Sequence, residues 1–244
     1  MGLVEELSEE PLFGGRLRCL QPLQGYRFSV DAVLLAHFIT PPPGARILDL
    51  GGGCGIISLI LSHRHPDASL VALEVQPRLA ALIRGNVLLN GLENRITVLE
   101  TDCREIASLL PENSLDYVTA NPPYYPSASG RYNPESERAR ARHEILGGIA
   151  EMARAASYAL KAGGRAAFVY PAAREEILLG VLRENGMTPQ RLQRVCPYPG
   201  AKAGLVLVEA EKDGGEGLAV LPEFFICKEK GGGYMAAMAA MYAE

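Results

Sequence analysis

The sequence lacks any apolar run long enough to cross a bilayer. Runs such as 32–39, broken by His37, and 56–61 stop far short of the roughly 18 to 20 residues that a helical span requires, so no transmembrane helix is expected. Basic residues are missing from its start. The first dozen residues carry Glu5, Glu6, Glu9 and Glu10 with neither Lys nor Arg, the reverse of a signal peptide's charged opening, and the protein is expected to stay in the cytoplasm. Cysteine pairs are missing too. The five cysteines, Cys19, Cys54, Cys103, Cys196 and Cys227, are widely spaced with no C-x-x-C among them, which sets aside a zinc site and dithiol chemistry and leaves free thiols in a reducing compartment. Finally, the 26 glycines and 17 prolines recur with no period, which excludes collagen-like, low-complexity and repeat architectures.

What is present is ordinary for a folded domain. The 244 residues, 48% hydrophobic and 21% charged, suffice for one large domain with a full core. The net charge of −4 equals the charge of the four N-terminal glutamates, so the rest of the chain is neutral. A neutral body can still present a basic face, and a nucleic-acid partner stays open.

Along the chain, short β-branched runs alternate with longer amphipathic stretches, the pattern of βαβ units. Strands are expected at 46–50, 70–75, 96–99, 115–120, 165–170, 191–196 and 205–210, and helices at 56–63, 78–89, 144–160 and 174–185. Gly163 and Gly186 stand as stop signals after the last two helices. Pro197, Pro199 and Gly200 leave no room for a crossover helix between the final two strands, which should therefore pair antiparallel at one edge. The fold class is α/β: a seven-stranded, mostly parallel, Rossmann-like sheet with an antiparallel edge hairpin and helices on both faces. Three parts are expected: an N-terminal segment, 1–44, with an apolar helix at 30–39 and packing on a cofactor site; the main domain, 45–213; and a tail, 214–244. The tail reads as one strand-like run at 218–228, a glycine turn at 231–233 and a terminal helix.

Asp49-Leu50-Gly51-Gly52-Gly53-Cys54-Gly55 ends the first of these strands and opens a helix. In a doubly wound sheet a nucleotide-like ligand meets the strand ends at such a place. Glycines allow a tight turn and close approach of backbone to ligand. The spacing is Gly51-x-Gly53-x-Gly55, with Ile56 where the dinucleotide fingerprint needs its third glycine, and dehydrogenase binding is disfavoured. Glu74 ends the next strand, where a carboxylate can accept both hydroxyls of a ribose. Asp102 follows the third strand in the same register. Three acids at successive strand ends beside a glycine loop suit a ligand with an amino group, a ribose diol and an adenine amine, and S-adenosylmethionine is that ligand.

Asn121-Pro122-Pro123-Tyr124-Tyr125-Pro126 stands at the end of the fourth strand. The prolines fix the backbone, so the Asn121 side-chain carbonyl and the Pro122 main-chain carbonyl become preorganised acceptors for a planar NH2. With both hydrogens of an exocyclic amine held there, its lone pair is drawn out of conjugation. Tyr124 can stack on the planar group, worth roughly 1 to 3 kcal/mol, and positioning of the reactants can lower the barrier by roughly 7 to 11 kcal/mol. Positioning is the larger effect. Catalysis is assigned to Asn121, Pro122 and Tyr124.

From Arg46 to Ala210 the chain resembles the class I S-adenosylmethionine-dependent methyltransferases that act on planar amines or amides. The stretch 24–36 (Gln-Gly-Tyr-Arg-Phe-Ser-Val-Asp-Ala-Val-Leu-Leu-Ala) and the run 140–144 (Arg-Ala-Arg-His-Glu) narrow the resemblance to the bacterial tRNA (adenine-N6)-methyltransferase family, which modifies the adenine 3′ of the anticodon in a valine tRNA. The resemblance implies that Asp49 and Gly51 hold the methionine end of the cofactor, Glu74 its ribose and Asp102 its adenine, and Gly53 belongs to the same cofactor-binding set. Ser29 and Asp31 match the segment that closes over the cofactor in related enzymes, Asn121 through Tyr124 hold the target base, and Asn121 belongs to both the cofactor and the substrate sets. Gly52 and Cys54 fill variable positions of the loop, which leaves Cys54 a candidate oxidation site.

Two basic stretches lie near the strand ends. One carries Arg131, Arg138, Arg140 and Arg142 against Glu135 and Glu137, and the other Arg191, Arg194 and Lys202 with no acid. Arginines there would contact phosphates of an RNA loop, and Tyr124, Tyr125, Arg138, Arg140 and Arg142 form the expected substrate surface for a tRNA anticodon loop. A metal, a membrane and an obligate protein partner are not implied, and the oligomeric state is left open. The strongest rival, the release-factor glutamine methyltransferase, grips a side-chain amide with the same segment but carries a sizeable N-terminal helical domain, whereas about forty residues precede the sheet here. A guanine-N2 or DNA adenine methyltransferase would want a duplicated domain or a target-recognition insertion. The non-catalytic alternative, an RNA-binding scaffold, sits poorly with an intact Asn121–Tyr124 segment.

Overall fold

The computed structural model describes residues 6–24, 27–122 and 148–243. An N-terminal hairpin, β1 (Leu7–Leu12) and β2 (Leu17–Pro22), forms a small antiparallel sheet of its own. Helix α1 (Val30–Phe38) follows, buried along nearly its whole length, as expected of a helix that is apolar on all sides. The main sheet contains β3 (Arg46–Leu50), β4 (Ser69–Glu74), β5 (Ile96–Glu100), β6 (Leu115–Ala120), β7 (Leu160–Pro171), β8 (Met187–Cys196) and β9 (Leu205–Lys212). Two-residue strands β10 (Ala219–Val220) and β11 (Phe224–Phe225) extend it beside β8. Between them run α2 (Ile56–Arg64), α3 (Pro77–Leu89), α4 (Ile149–Ala159) and α5 (Glu175–Glu184), and α6 (Ala236–Ala243) ends the chain.

The order across the sheet is β10-β8-β9-β7-β6-β3-β4-β5, with β9 antiparallel to both β7 and β8 and the remaining pairs parallel. The seven long strands and the antiparallel edge are those expected from the sequence. The tail differs. Its single expected strand is two short ones separated by Leu221, Pro222 and Glu223, because Pro222 has no amide to donate to a ladder. The lead-in segment holds more than was expected, since a hairpin precedes the helix expected at 30–39, which is α1.

Side chains of β3 alternate between two cores. Ile47 joins the core under α1, α2 and α3, and Leu48 and Leu50 join the one under α4 and α5, as a strand's period of two requires. Helices that follow β3 and β6 therefore cover opposite faces, and the crevice between the carboxyl ends of β3 and β6 is the switch point at which open α/β sheets take their ligands. Gly163 does not cap α4. The helix stops at Ala159, and β7 begins at Leu160 with a register break opposite β6 between Leu115 and Tyr117. Gly163 supplies the positive φ of +75° at this irregularity, and Gly164 has Lys161 O only 2.9 Å from where a Cβ would be. Among the described residues no helix is long and apolar enough to cross a membrane.

Candidate active site

The glycine loop is tied to the neighbouring strand by its own backbone. The Gly51 and Gly52 amides both donate to Leu73 O, at 2.8 and 3.0 Å, and the Gly55 amide donates to Gly52 O at 2.8 Å. Gly55 takes φ +88° as the residue preceding α2, a conformation a side chain would resist. Gly52, read from sequence as a variable position, packs against α3. A Cβ there would lie 2.9 Å from Ile83 Cδ1, the end of a side chain that can turn aside, so the contact crowds a larger residue without forbidding one.

Glu74 faces this loop from the end of β4. Its Oε2 accepts from the Gly53 amide and its Oε1 from the Gln76 amide, both at 2.9 Å. Burial pushes its carboxyl up to about 7, against the opposing pull of these two amides and with a further push from Asp49. Asp49 is completely buried, with Oδ2 accepting from Ser58 Oγ at 2.8 Å and Oδ1 from Thr119 Oγ1 at 3.2 Å. Burial raises it to about 6, the two hydroxyls opposing. Asp49 thus braces the loop against α2 and β6. Ser58, Thr119 and Gln76 were not singled out from sequence, since nothing in a lone Ser, Thr or Gln marks it as a partner of a distant acid.

Asp102 caps the short turn after β5, accepting from the Arg104 amide at 2.9 Å. The Arg104 guanidinium grips both of its oxygens, at 2.9 and 2.6 Å. Partial burial would raise the Asp102 carboxyl, yet Arg104 prevails and holds it below the usual carboxylate range. Register places the three acids together: Leu50 pairs with Leu73 and Glu74 with Glu100, so the residues after β3, β4 and β5 emerge side by side at one end of the sheet.

Asn121 and Pro122 emerge at the same end, because Ala120 pairs with Leu50; they and Gly51 flank the switch point. Ser29 precedes α1 and donates to Asp31 Oδ1, which also accepts the Ala32 amide at 2.8 Å. Asp31 also lies within electrostatic reach of Tyr242 on α6, linking the start of α1 to the tail. Tyr124, Tyr125, Arg138, Arg140 and Arg142 lie outside the described residues, as does Arg131. Of the second basic stretch, Arg191 pairs with the fully buried Glu209 and Arg194 with Glu175, so sequence overstated its free charge. Among the described residues no cluster of His, Cys, Asp and Glu could hold a metal ion.

The profile of the Methyltransferase small domain family matches residues 29–176, more than half of the chain. The chain belongs to that family. Relatives of this methyltransferase include two described as tRNA1(Val) (adenine(37)-N6)-methyltransferase. One, from Bacteroides fragilis strain YCH46, is 30% identical over 75% of this chain and 76% of its own length. The other, from Vibrio parahaemolyticus, is 28% identical over 77% of each. Among solved structures, one described as a predicted O-methyltransferase from Agrobacterium tumefaciens superposes with a TM-score of 0.72 at 21% identity, covering 87% of this chain and 95% of its own; at that identity the likeness is one of fold.

The methyltransferase small domain protein is an enzyme whose cofactor is S-adenosylmethionine. The site is consistent with that cofactor on its own terms. Of the loop glycines Gly51 keeps half-buried backbone at the carboxyl end of β3, while Gly52 and Gly53 are buried beneath it, and Glu74 keeps an oxygen lone pair on each side after its amide bonds.

Proposed function

We propose that this methyltransferase acts on N6 of an adenine in tRNA, in the anticodon loop next to the anticodon, and that the crevice between β3 and β6 is where cofactor and base meet. The observation that carries the reading is the pairing of Leu50 with Ala120, which sets the glycine loop beside Asn121-Pro122. The description of the relatives as tRNA adenine-N6 enzymes supports the choice of substrate.

The cofactor, when bound, supplies an electrophilic methyl group on its sulfonium. Asp49, Gly51 and Gly53 border its amino-acid end, Glu74 accepts the ribose hydroxyls and Asp102 the adenine amine. Asn121 Oδ1 and the Pro122 carbonyl accept the two hydrogens of the target N6, which frees its lone pair from the ring and aims it at the methyl group; as the N–C bond formed the S–C bond would break, leaving a neutral thioether, and N6 would give up one of its two hydrogens as a proton to water. Tyr124 stacks on the base, and Arg138, Arg140 and Arg142 contact flanking phosphates. A loop adenine is already partly unstacked, so presenting it costs less than extrusion from a duplex.

The test is a side-by-side incubation of the purified protein and labelled S-adenosylmethionine with intact tRNA, an anticodon stem-loop and a release-factor fragment, followed by mass spectrometry. The expected product is N6-methyladenosine in tRNA. Label on a glutamine of the protein fragment with none in RNA would overturn the reading.

A further inference from the structure

Two asparagines, Asn86 on α3 and Asn90 just past its end, hold the N-terminal hairpin as a neighbouring strand would. Asn90 Oδ1 accepts the Arg18 amide at 2.9 Å while its Nδ2 donates to Arg18 O at 2.7 Å. Four residues earlier, Asn86 Oδ1 accepts the Leu20 amide at 2.7 Å while its Nδ2 donates to Leu20 O at 2.8 Å. Side chains four apart on a helix are separated by about 6 Å along its axis, close to the roughly 6.6 Å between alternate residues of a strand. Each carboxamide offers a donor and an acceptor, as a peptide group does. The match of spacing and chemistry lets a helix terminate the edge of β2.

Asn86 does something that Asn90 does not. It is completely buried, and its Nδ2 also donates to Cys54 O at 2.8 Å. Cys54 lies between Gly53, whose amide is on Glu74, and Gly55, which leads into α2. Both Asn86 N–H groups are thereby committed, one to the hairpin and one to the glycine loop. The contact is reinforced by sulfur: Cys19 Sγ of β2 lies 3.9 Å from Cys54 Sγ and 3.7 Å from Asn86 Nδ2. Hairpin, helix and loop meet in a dry junction with Asn86 at its centre.

We infer that Asn86 is a positioning residue for the cofactor: by holding the Cys54 carbonyl it sets the turn of the glycine loop, and it couples docking of the N-terminal hairpin to cofactor affinity. The inference rests on the placement of S-adenosylmethionine at that loop. If hairpin and cofactor are coupled, the coupling is reciprocal.

Calorimetry with S-adenosylhomocysteine on the full chain, its Asn86→Ala, Asn90→Ala and Glu74→Ala variants, with thermal melts of each, tests this. Asn86→Ala should weaken binding about tenfold, whereas Asn90→Ala, whose bonds to Arg18 are exposed, should cost less thermal stability and change affinity less than about twofold. Equal weakening by both asparagine variants would mean that Asn86 acts through hairpin stability alone and would overturn the inference, as would unchanged affinity in Asn86→Ala. Unchanged affinity in Glu74→Ala would instead remove the cofactor from this loop, a separate failure. Should Asn86→Ala not fold, hydrogen exchange on the wild type decides: saturating S-adenosylhomocysteine should slow exchange of the Leu20 amide several-fold more than that of Arg18, and equal effects on the two would overturn the inference.

Discussion

The Gly53 amide donates to Glu74 Oε2 at 2.9 Å, so the loop after β3 and the acid that ends β4 form one hydrogen-bonded unit. An acid in that position shapes the loop before it meets a ribose. Glu74→Ala removes the ribose acceptors and the loop's anchor together, and cofactor binding should weaken by roughly 1 to 3 kcal/mol. Calorimetry with S-adenosylmethionine on the folded variant measures this, and unchanged affinity would discard the assignment of Glu74.

The same acid gives a pH dependence whose sign is fixed. Burial raises the Glu74 carboxyl from 4.5 to about 7, so between those values the folded protein holds a proton that the unfolded chain has released. Stability from this group is then fully present below about 4.5 and declines as pH rises through about 7. Glu74→Gln lacks the titration. Thermal melts from pH 5 to pH 8 without cofactor should show the wild type losing ground to Glu74→Gln as pH rises, and parallel curves would contradict the buried, protonated acid.

Two glycines, one packed against α3 and one inside it, should respond oppositely to alanine. Gly55 has φ +88° and Ile83 Cγ2 3.1 Å from a Cβ position, so Gly55→Ala should destabilise by about 1 to 2 kcal/mol. Gly85 lies inside α3, with nothing within 4 Å of its Cβ position, and Gly85→Ala should stabilise by about 0.5 to 1 kcal/mol. Urea unfolding of the pair is the measurement; effects of like sign would refute the distinction.

What could be read from sequence was whatever leaves a local signature. Gly51, Gly53 and Gly55 all have positive φ, and glycine at a strand end announces that. The seven long strands follow from β-branched runs buried on both faces. Contacts at long range left no such trace. Asn86 bonds Leu20 and Cys54, which are 66 and 32 residues away, and nothing beside it in the chain reveals either. The hairpin was missed because β1 (Leu-Ser-Glu-Glu-Pro-Leu) is one-third acidic and its turn at Phe13, Gly14 and Gly15 relies on Phe13 burying itself against His63, with ring centroids 4.4 Å apart.

Asn121→Ala should separate catalysis from cofactor binding. Asn121 stands in the cofactor set as well, but its side chain is assigned to the target amine, so its loss removes an interaction made in the transition state and leaves the other cofactor residues, Gly51, Glu74 and Asp102 among them, in place. Turnover should fall on the order of 100-fold or more, the cost of removing one preorganised partner of a reacting group, with S-adenosylmethionine affinity close to normal. Single-turnover methylation of tRNA and calorimetry on the same preparation test it. A variant that kept most of its turnover would return the Asn-Pro-Pro segment to the role of a structural turn.

Recognition of the RNA should be electrostatic and local to the segment after Asn121. Arg138, Arg140 and Arg142 follow the catalytic residues closely in the chain, and their proposed partners are phosphates, which carry charge but no sequence. Each phosphate contact releases counterions, so the logarithm of affinity falls with the logarithm of salt by about 0.7 to 0.9 per contact. Replacing Arg138 and Arg140 by glutamine should flatten that slope by about two at most and weaken binding to all tRNAs alike. S-adenosylmethionine affinity should not change. Filter binding of tRNA from 50 to 300 mM salt reads the slope, and calorimetry reads the cofactor. An unchanged slope with unchanged affinity at low salt would remove these arginines from the interface, while a loss confined to one tRNA would mean that they read bases and not backbone.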